Sequence, residues 1–149
     1  ARCVMHTHTT AGMAVSAQAD GLLPLAQTSL RFYNRLAYHD FEGIATDLDE
    51  RQRLVADLGT RKAMVLRNHG LLTVGGSIAE AFQEMRYLQN ACELQLAAQV
   101  CDNLSMPSEE VCEKTAKQFE KNGANQRAND TAWAAMKRML DDEEPSYKH

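Results

Sequence analysis

Apolar residues in this chain alternate in some stretches and recur at helical spacing in others, and the two periods divide it into elements. Residues 2–8 read as a short buried strand with Val4, His6 and His8 on one face. Cys3, Met5 and Thr7 take the other face. Thr9 or Thr10 can cap a helix through Ala11–Ala19 that ends at Asp20-Gly21. Leu22-Leu23-Pro24-Leu25 is an apolar connector, Ser29 to Tyr38 fits helix and strand equally, and Asp40-Phe41-Glu42-Gly43 has the composition of a turn. Asp47 and Glu50 form a capping-box pattern ahead of a helix carrying Leu48, Leu54, Val55 and Leu58, which stops at Gly59.

The run Ala63-Met64-Val65-Leu66 predicts a buried strand within Lys62–Arg67, and Leu71–Val74 its return partner. Asn68-His69-Gly70 is the tight turn between them, with Gly70 supplying a left-handed conformation. Ser77 and Glu80 form a second capping box. A long helix follows to about Val100, with Ile78, Phe82, Met85, Cys92 and Leu96 on one face. At ~1.5 Å per residue it reaches roughly 33 Å, enough to cross a whole domain. A more polar helix runs from Met106-Pro107 to Asn122-Gly123. A last one runs from about Asn129 to Leu140, with Trp133, Met136 and Leu140 as its apolar contacts. This order predicts helices covering a mixed sheet, and the hairpin rules out an all-parallel one.

Composition narrows the picture. The 149 residues suffice for one domain with a real core, and 44% apolar with 24% charged residues is ordinary for a globular protein. A net charge of −4 gives no electrostatic footprint for nucleic acid. No apolar run approaches the roughly 20 residues of a membrane span, and no signal peptide is visible, so the expected location is the cytoplasm. Cys3, Cys92, Cys101 and Cys112 are irregularly spaced with no Cys-x-x-Cys pair, which fits reduced thiols better than a thiolate zinc site. The chain opens directly on a strand, from which we expect an N-terminal portion of the domain to be missing.

The chemistry resides in histidines. His6 and His8 lie on one face of a strand, and two adjacent imidazoles are hard to bury without a partner. His69 at a turn offers a third ligand. Three neutral imidazoles bind Zn²⁺ at ~2.0–2.1 Å and leave a position for substrate. Cobalt, iron and nickel also suit such a set. A cupin would carry a glutamate shortly after the pair, but Thr9 to Ala19 contains no acid. No Gly-x-Ser-x-Gly nucleophile elbow and no phosphate loop occurs.

His6-Thr7-His8, Ala14-Val15-Ser16-Ala17, Gly21-Leu22-Leu23-Pro24, Ala37-Tyr38-His39-Asp40-Phe41-Glu42-Gly43 and Arg67-Asn68-His69-Gly70-Leu71, in that order, resemble the class II aldolase/adducin family, and most of all its adducin-like bacterial branch. The resemblance covers roughly residues 1–104, leaving 105–149 as a helical C-terminal extension. It implies an α/β fold, a three-layer αβα sandwich around a mixed, mostly antiparallel sheet. It also implies a divalent metal, zinc first, on His6, His8 and His69. The implied activity is that of an aldolase-like lyase, epimerase or dehydratase acting through an enediolate on a small hydroxy-carbonyl compound or sugar phosphate. A homo-oligomer is implied, with a tetramer favoured. The family's acid/base carboxylate precedes the histidine pair and is expected upstream of this chain. Tyr38 and His39 are candidates for a supporting or interface role at the site. Adducin head domains give the alternative, a non-catalytic assembly or binding module. Asp40, Glu42 and Arg67 read first as solvated turn and strand-end residues, and His149 as a terminal residue with no role.

Overall fold

The computed structural model describes residues 1–43, 48–123 and 126–148. Its elements are β1 (Cys3–Thr7), α1 (Thr10–Ser16), α2 (Gln27–Leu30), β2 (Leu36–His39), α3 (Leu48–Leu58), β3 (Ala63–Leu66), β4 (Gly70–Gly75), α4 (Ile78–Ala98), α5 (Glu109–Gly123) and α6 (Gln126–Glu143), then a 3₁₀ turn over Pro145–Lys148. The sheet order is β1-β4-β3-β2. β1 and β3 run antiparallel to β4, and only the β2–β3 pair is parallel. The sheet is mixed and mostly antiparallel.

The alternation of β3 explains the layers. Ala63 and Val65 point to one face, where they meet Val15, Leu71, Met85, Leu88 and Cys92 from α1, β4 and α4. Met64 and Leu66 point to the other and meet Ala37, Leu72, Leu54 and Leu58, the last two from α3. A strand buried on both faces reads as a continuous apolar run, and all four β3 residues are buried. Helices thus cover the sheet on both sides, as the α/β sandwich requires.

Several expectations are corrected. β1 is not buried throughout, because α3 packs over β2 and leaves the outer half of that face open. Val4 is 64% exposed. α1 ends at Ser16 rather than Ala19, with Thr9 as its N-cap accepting from the Gly12 N–H at 3.2 Å. Ser29 to Tyr38 resolves into the end of α2, a turn and β2. Val55 and Ile78 are exposed at 71% and 58%. Of the expected α4 face, Met85 and Cys92 are buried and Leu96 packs against the core, and Ala81, Leu88, Ala91 and Gln95 are buried with them. Leu140 is also exposed, whereas Trp133 packs edge-on against Phe82 with ring centroids 5.0 Å apart. Asp47, the side chain of Leu48 and His149 lie outside the described residues. The second capping box is shifted by one position. Ser77 accepts from the Glu80 N–H, but the Glu80 carboxylate reaches back to Gly76 rather than Ser77.

Candidate metal centre

His6 and His8 leave β1 on the face away from α4, and His69 reaches them from the hairpin between β3 and β4. The three ring centroids lie 4.5, 4.8 and 4.7 Å apart. One ring nitrogen from each comes within 4.8 Å of the others, and Nε2 of His6 and Nε2 of His8 are 2.7 Å apart. Nitrogens sharing a tetrahedral zinc at ~2.0–2.1 Å lie about 3.3 Å apart, a value the observed separations bracket. His6 and His8 are exposed and His69 is half-buried, so a small ligand can approach.

The tautomer of His6 is fixed. Its Nδ1–H donates to the Leu71 carbonyl at 2.8 Å, which leaves the Nε2 lone pair for a cation. The His69 pKa is lowered, first by desolvation and then by the neighbouring His6 and His8, with Glu50 acting weakly the other way. Neutral imidazole is the ligating form, and this environment favours it. The donor set therefore fits a borderline-soft divalent ion such as zinc.

The hairpin tip is anchored from α1. The Ser16 hydroxyl, 1% exposed, accepts from the His69 N–H at 3.2 Å, and the Ser16 carbonyl accepts from the Asn68 N–H at 3.1 Å. Asn68, not Gly70, takes the left-handed conformation, with φ of 55°. Gly70 serves close approach instead. A Cβ there would lie 2.4 Å from the Thr7 carbonyl oxygen and 3.3 Å from His8 Cδ2. Its bareness lets β4 sit against the end of β1 and brings His8 to His69.

The remaining candidates separate by face. Tyr38 points to the α4 side, where its hydroxyl accepts from the Leu22 N–H at 3.0 Å and its ring stacks under Arg67 at 4.4 Å. It is not brought to the imidazoles. Burial raises its pKa, as expected of an enclosed phenol. Arg67 is held by the carbonyls of Gln18 and Ala19, so it locks the hairpin rather than meeting solvent. His39 points to the same side of the sheet as the imidazole cluster and is 4% exposed. Its Nδ1–H donates to Asp57 Oδ2 at 2.6 Å. Glu42 pairs with Arg53, and Phe41 stands edge-on to His69 at 6.4 Å.

A cleft of about 890 Å³ opens at the other end of β2 and β3, near Ala63. Arg31 and Arg35, which line it, are committed to Glu84 and to Glu113 with Glu120. These charges are paired within the fold. Sequence reasoning missed Ser16, Glu50 and Asp57. The seven-residue spacing of Glu50 and Asp57 was the available signal, since it puts both on one side of α3.

Residues 1–96 match the family model described as the class II aldolase and adducin N-terminal domain. The chain belongs to this family. A Pseudomonas aeruginosa protein whose name places it in aldolase class 2 is 43% identical over 152 residues, spanning 98% of this chain and 58% of that protein. Rat alpha-adducin is 45% identical over 97 residues, which cover 64% of this chain and 13% of the adducin. Among solved structures, an aldolase II superfamily protein from Pseudomonas syringae superposes with a TM-score of 0.90 at 48% identity, over 98% of this chain and 59% of that one. An L-fuculose 1-phosphate aldolase from Glaciozyma antarctica gives 0.75 at 28% identity, over 94% and 53%. The chain thus spans little more than half the length of these aldolase-like relatives. Family members typically carry a divalent metal.

Proposed function

We propose that this chain carries the metal-binding part of an aldolase-type lyase, or of a related epimerase or dehydratase, acting on a small hydroxy-carbonyl compound or sugar phosphate. His6, His8 and His69 would hold the cation, with zinc the ion that best suits three imidazoles. A divalent ion there supplies Lewis-acid polarisation of a carbonyl and offsets negative charge developing beside it. The chain's own residues do the rest of what can be assigned. Leu71 fixes the His6 tautomer, Ser16 fixes the height of His69, and Gly70 lets the two strands close.

The observation that carries this reading is the convergence of His69 on the His6–His8 pair from a distant part of the sequence, with His6 already turned to present Nε2. Family membership and the fuculose-phosphate aldolase likeness support the substrate class. Four free thiols suit a reducing cytoplasm, where we place the protein as a homo-oligomer, a tetramer in the first instance. No described helix is long and apolar enough to cross a membrane. We assign residues 1–104 to the aldolase/adducin-like domain and 105–149 to a helical extension. Elemental analysis of purified protein, followed by turnover assays with L-fuculose 1-phosphate and other sugar phosphates on protein that also carries the acid/base segment expected upstream of His6, tests the proposal. Stoichiometric zinc and cleavage support it. Stoichiometric zinc without turnover of any such compound favours the adducin-like module.

A further inference from the structure

His8 is the least supported of the three imidazoles. The Leu71 carbonyl turns His6, and Ser16 holds the backbone of His69. Among the described residues, the His8 ring has no hydrogen-bond partner other than His6. It is also exposed, so packing does little to fix it. Its placement falls to the main chain on either side. Strand alternation supplies that support. With His6 and His8 on the open face, Thr7 and Thr9 turn to the face where α4 runs. Thr7 donates its hydroxyl to Met85 Sδ at 3.3 Å, and Thr9 donates to Gln89 Oε1 at 2.5 Å. Met85 and Gln89 are four residues apart in α4, so they stand one above the other. The two residues flanking His8 are thus hooked to successive turns of one helix.

Sulfur is a weak acceptor, so the stronger hook is Gln89. Its Nε2 donates to Glu93 Oε1 at 2.7 Å. A carboxylate only accepts, so this bond fixes which end of the amide faces Thr9. Thr9 Oγ1 also accepts the Gly12 N–H at 3.2 Å, as the cap of α1. Capping uses the lone pair alone, and the proton sent across to α4 goes beyond what a cap requires. The start of α1 has little room to shift, since a Cβ on Gly12 would lie 2.8 Å from both Leu71 Cγ and Thr9 Oγ1. Leu71 is the residue whose carbonyl orients His6.

We propose that Thr9 and Gln89 are positioning residues for His8 as a cation ligand, and that with Thr7 and Met85 they clamp the ligand strand to α4. The inference rests on the metal reading above. A ligand whose ring lacks its own support is set by its backbone, and the clamp holds that backbone on both sides. Because the hold exists before an ion arrives, the ion does not have to order the segment itself. Each histidine then has a separate anchor: Leu71 for the His6 ring, Ser16 for the His69 backbone, and the threonine clamp for His8.

Competition for Zn²⁺ against a chromophoric chelator tests this with the intact chain. Gln89→Leu removes the acceptor and leaves the Thr9 cap in place. Zinc binding should weaken about fivefold, the equivalent of one ordinary hydrogen bond. Thr9→Val removes the hydroxyl and should weaken binding at least as much. Thr9→Ser keeps the hydroxyl and should stay within about twofold of wild type. The double variant Gln89→Leu/Thr9→Val should be no worse than Thr9→Val alone, because both break the same bond. Urea midpoints of the metal-free proteins, read alongside, separate affinity from folding. Visible spectra of the Co²⁺-loaded proteins report ligand geometry, and the Gln89→Leu bands should move from those of wild type. If Gln89→Leu does not fold, Thr9→Val against Thr9→Ser decides the matter. Zinc affinity of Gln89→Leu within about twofold of wild type overturns the inference while leaving the metal reading intact. So does a lowered urea midpoint with zinc affinity unchanged, which would make the bond a tie between strand and helix and nothing more. Absence of zinc binding by the wild-type chain overturns both.

Discussion

The hydroxyl of Ser16 holds the backbone of His69: it accepts the His69 N–H at 3.2 Å from the buried end of α1. One helix end thereby sets the position of a cation ligand on a hairpin 53 residues away. Ser16→Ala leaves that N–H with only the Leu66 carbonyl, at 3.1 Å. The expected loss of stability is about 1 kcal/mol, the usual net worth of one such bond. Zinc affinity should fall as well, because the hairpin tip gains freedom. Urea denaturation and chelator competition check the two effects, and unchanged zinc affinity would count against a positioning role.

Gly70→Ala is the sharper backbone test. The added methyl meets the Thr7 carbonyl oxygen at 2.4 Å, so β1 and β4 must part. Overpacking of this kind costs typically 1–3 kcal/mol. Backbone groups cannot rotate aside, so the upper part of that range is expected. Asn68→Gly, in contrast, relieves a positive φ of 55° and should be close to neutral. Thermal melts of the two variants give the comparison. Equal effects would argue that the turn, rather than the contact with Thr7, governs this corner.

Acid should weaken the metal-free protein through His69. Its folded pKa lies below the ordinary 6.5, through desolvation first and the neighbouring histidines second. The unfolded chain therefore binds the proton more readily, and stability rises with pH across this window. As pH falls through 6.5 toward the folded value, stability is progressively lost. Urea midpoints in chelator at pH 8, 7, 6 and 5 should decline most below 6.5. With zinc bound the decline should be steeper, because protonation also ejects the ion. His69→Asn should flatten both profiles.

Thiol labelling gives an independent check of the core. Burial pushes the Cys92 thiol up to about 12. Cys112 is buried too, while Cys101 is exposed and Cys3 half-buried. A thiol-reactive disulfide reagent at pH 8 should modify Cys101 fast and Cys3 slowly. Cys92 and Cys112 should react only on unfolding. Rapid modification of Cys92 in the native protein would mean that α4 does not pack on the sheet as described.

Much of the fold was legible because its cues are local. The β3 apolar run, the turn at Asn68, the Thr9 cap and the Ser77 cap each depend on a few adjacent residues, and each is where the pattern puts it. The face shared by His6 and His8 followed from strand alternation alone. What was not legible depends on which element covers which. Val4 and Ile78 look like core residues in sequence yet are exposed, because no described element packs over them. Glu50 looked like a helix-capping residue, and its proximity to His39 arises only when α3 folds over β2. Gly70 reads in sequence as the left-handed residue of the turn, but Asn68 takes that conformation and the close approach of Gly70 to Thr7 is made across the sheet.

Zinc content after exhaustive dialysis is the most direct test, measured by elemental analysis on the wild-type chain and on the His6→Ala/His8→Ala double variant. The account predicts one zinc per chain in the first and none in the second, with the far-UV spectrum preserved. A wild-type chain that retains no divalent metal, or a double variant that retains it in full, would contradict the claim that these imidazoles form a single cation site.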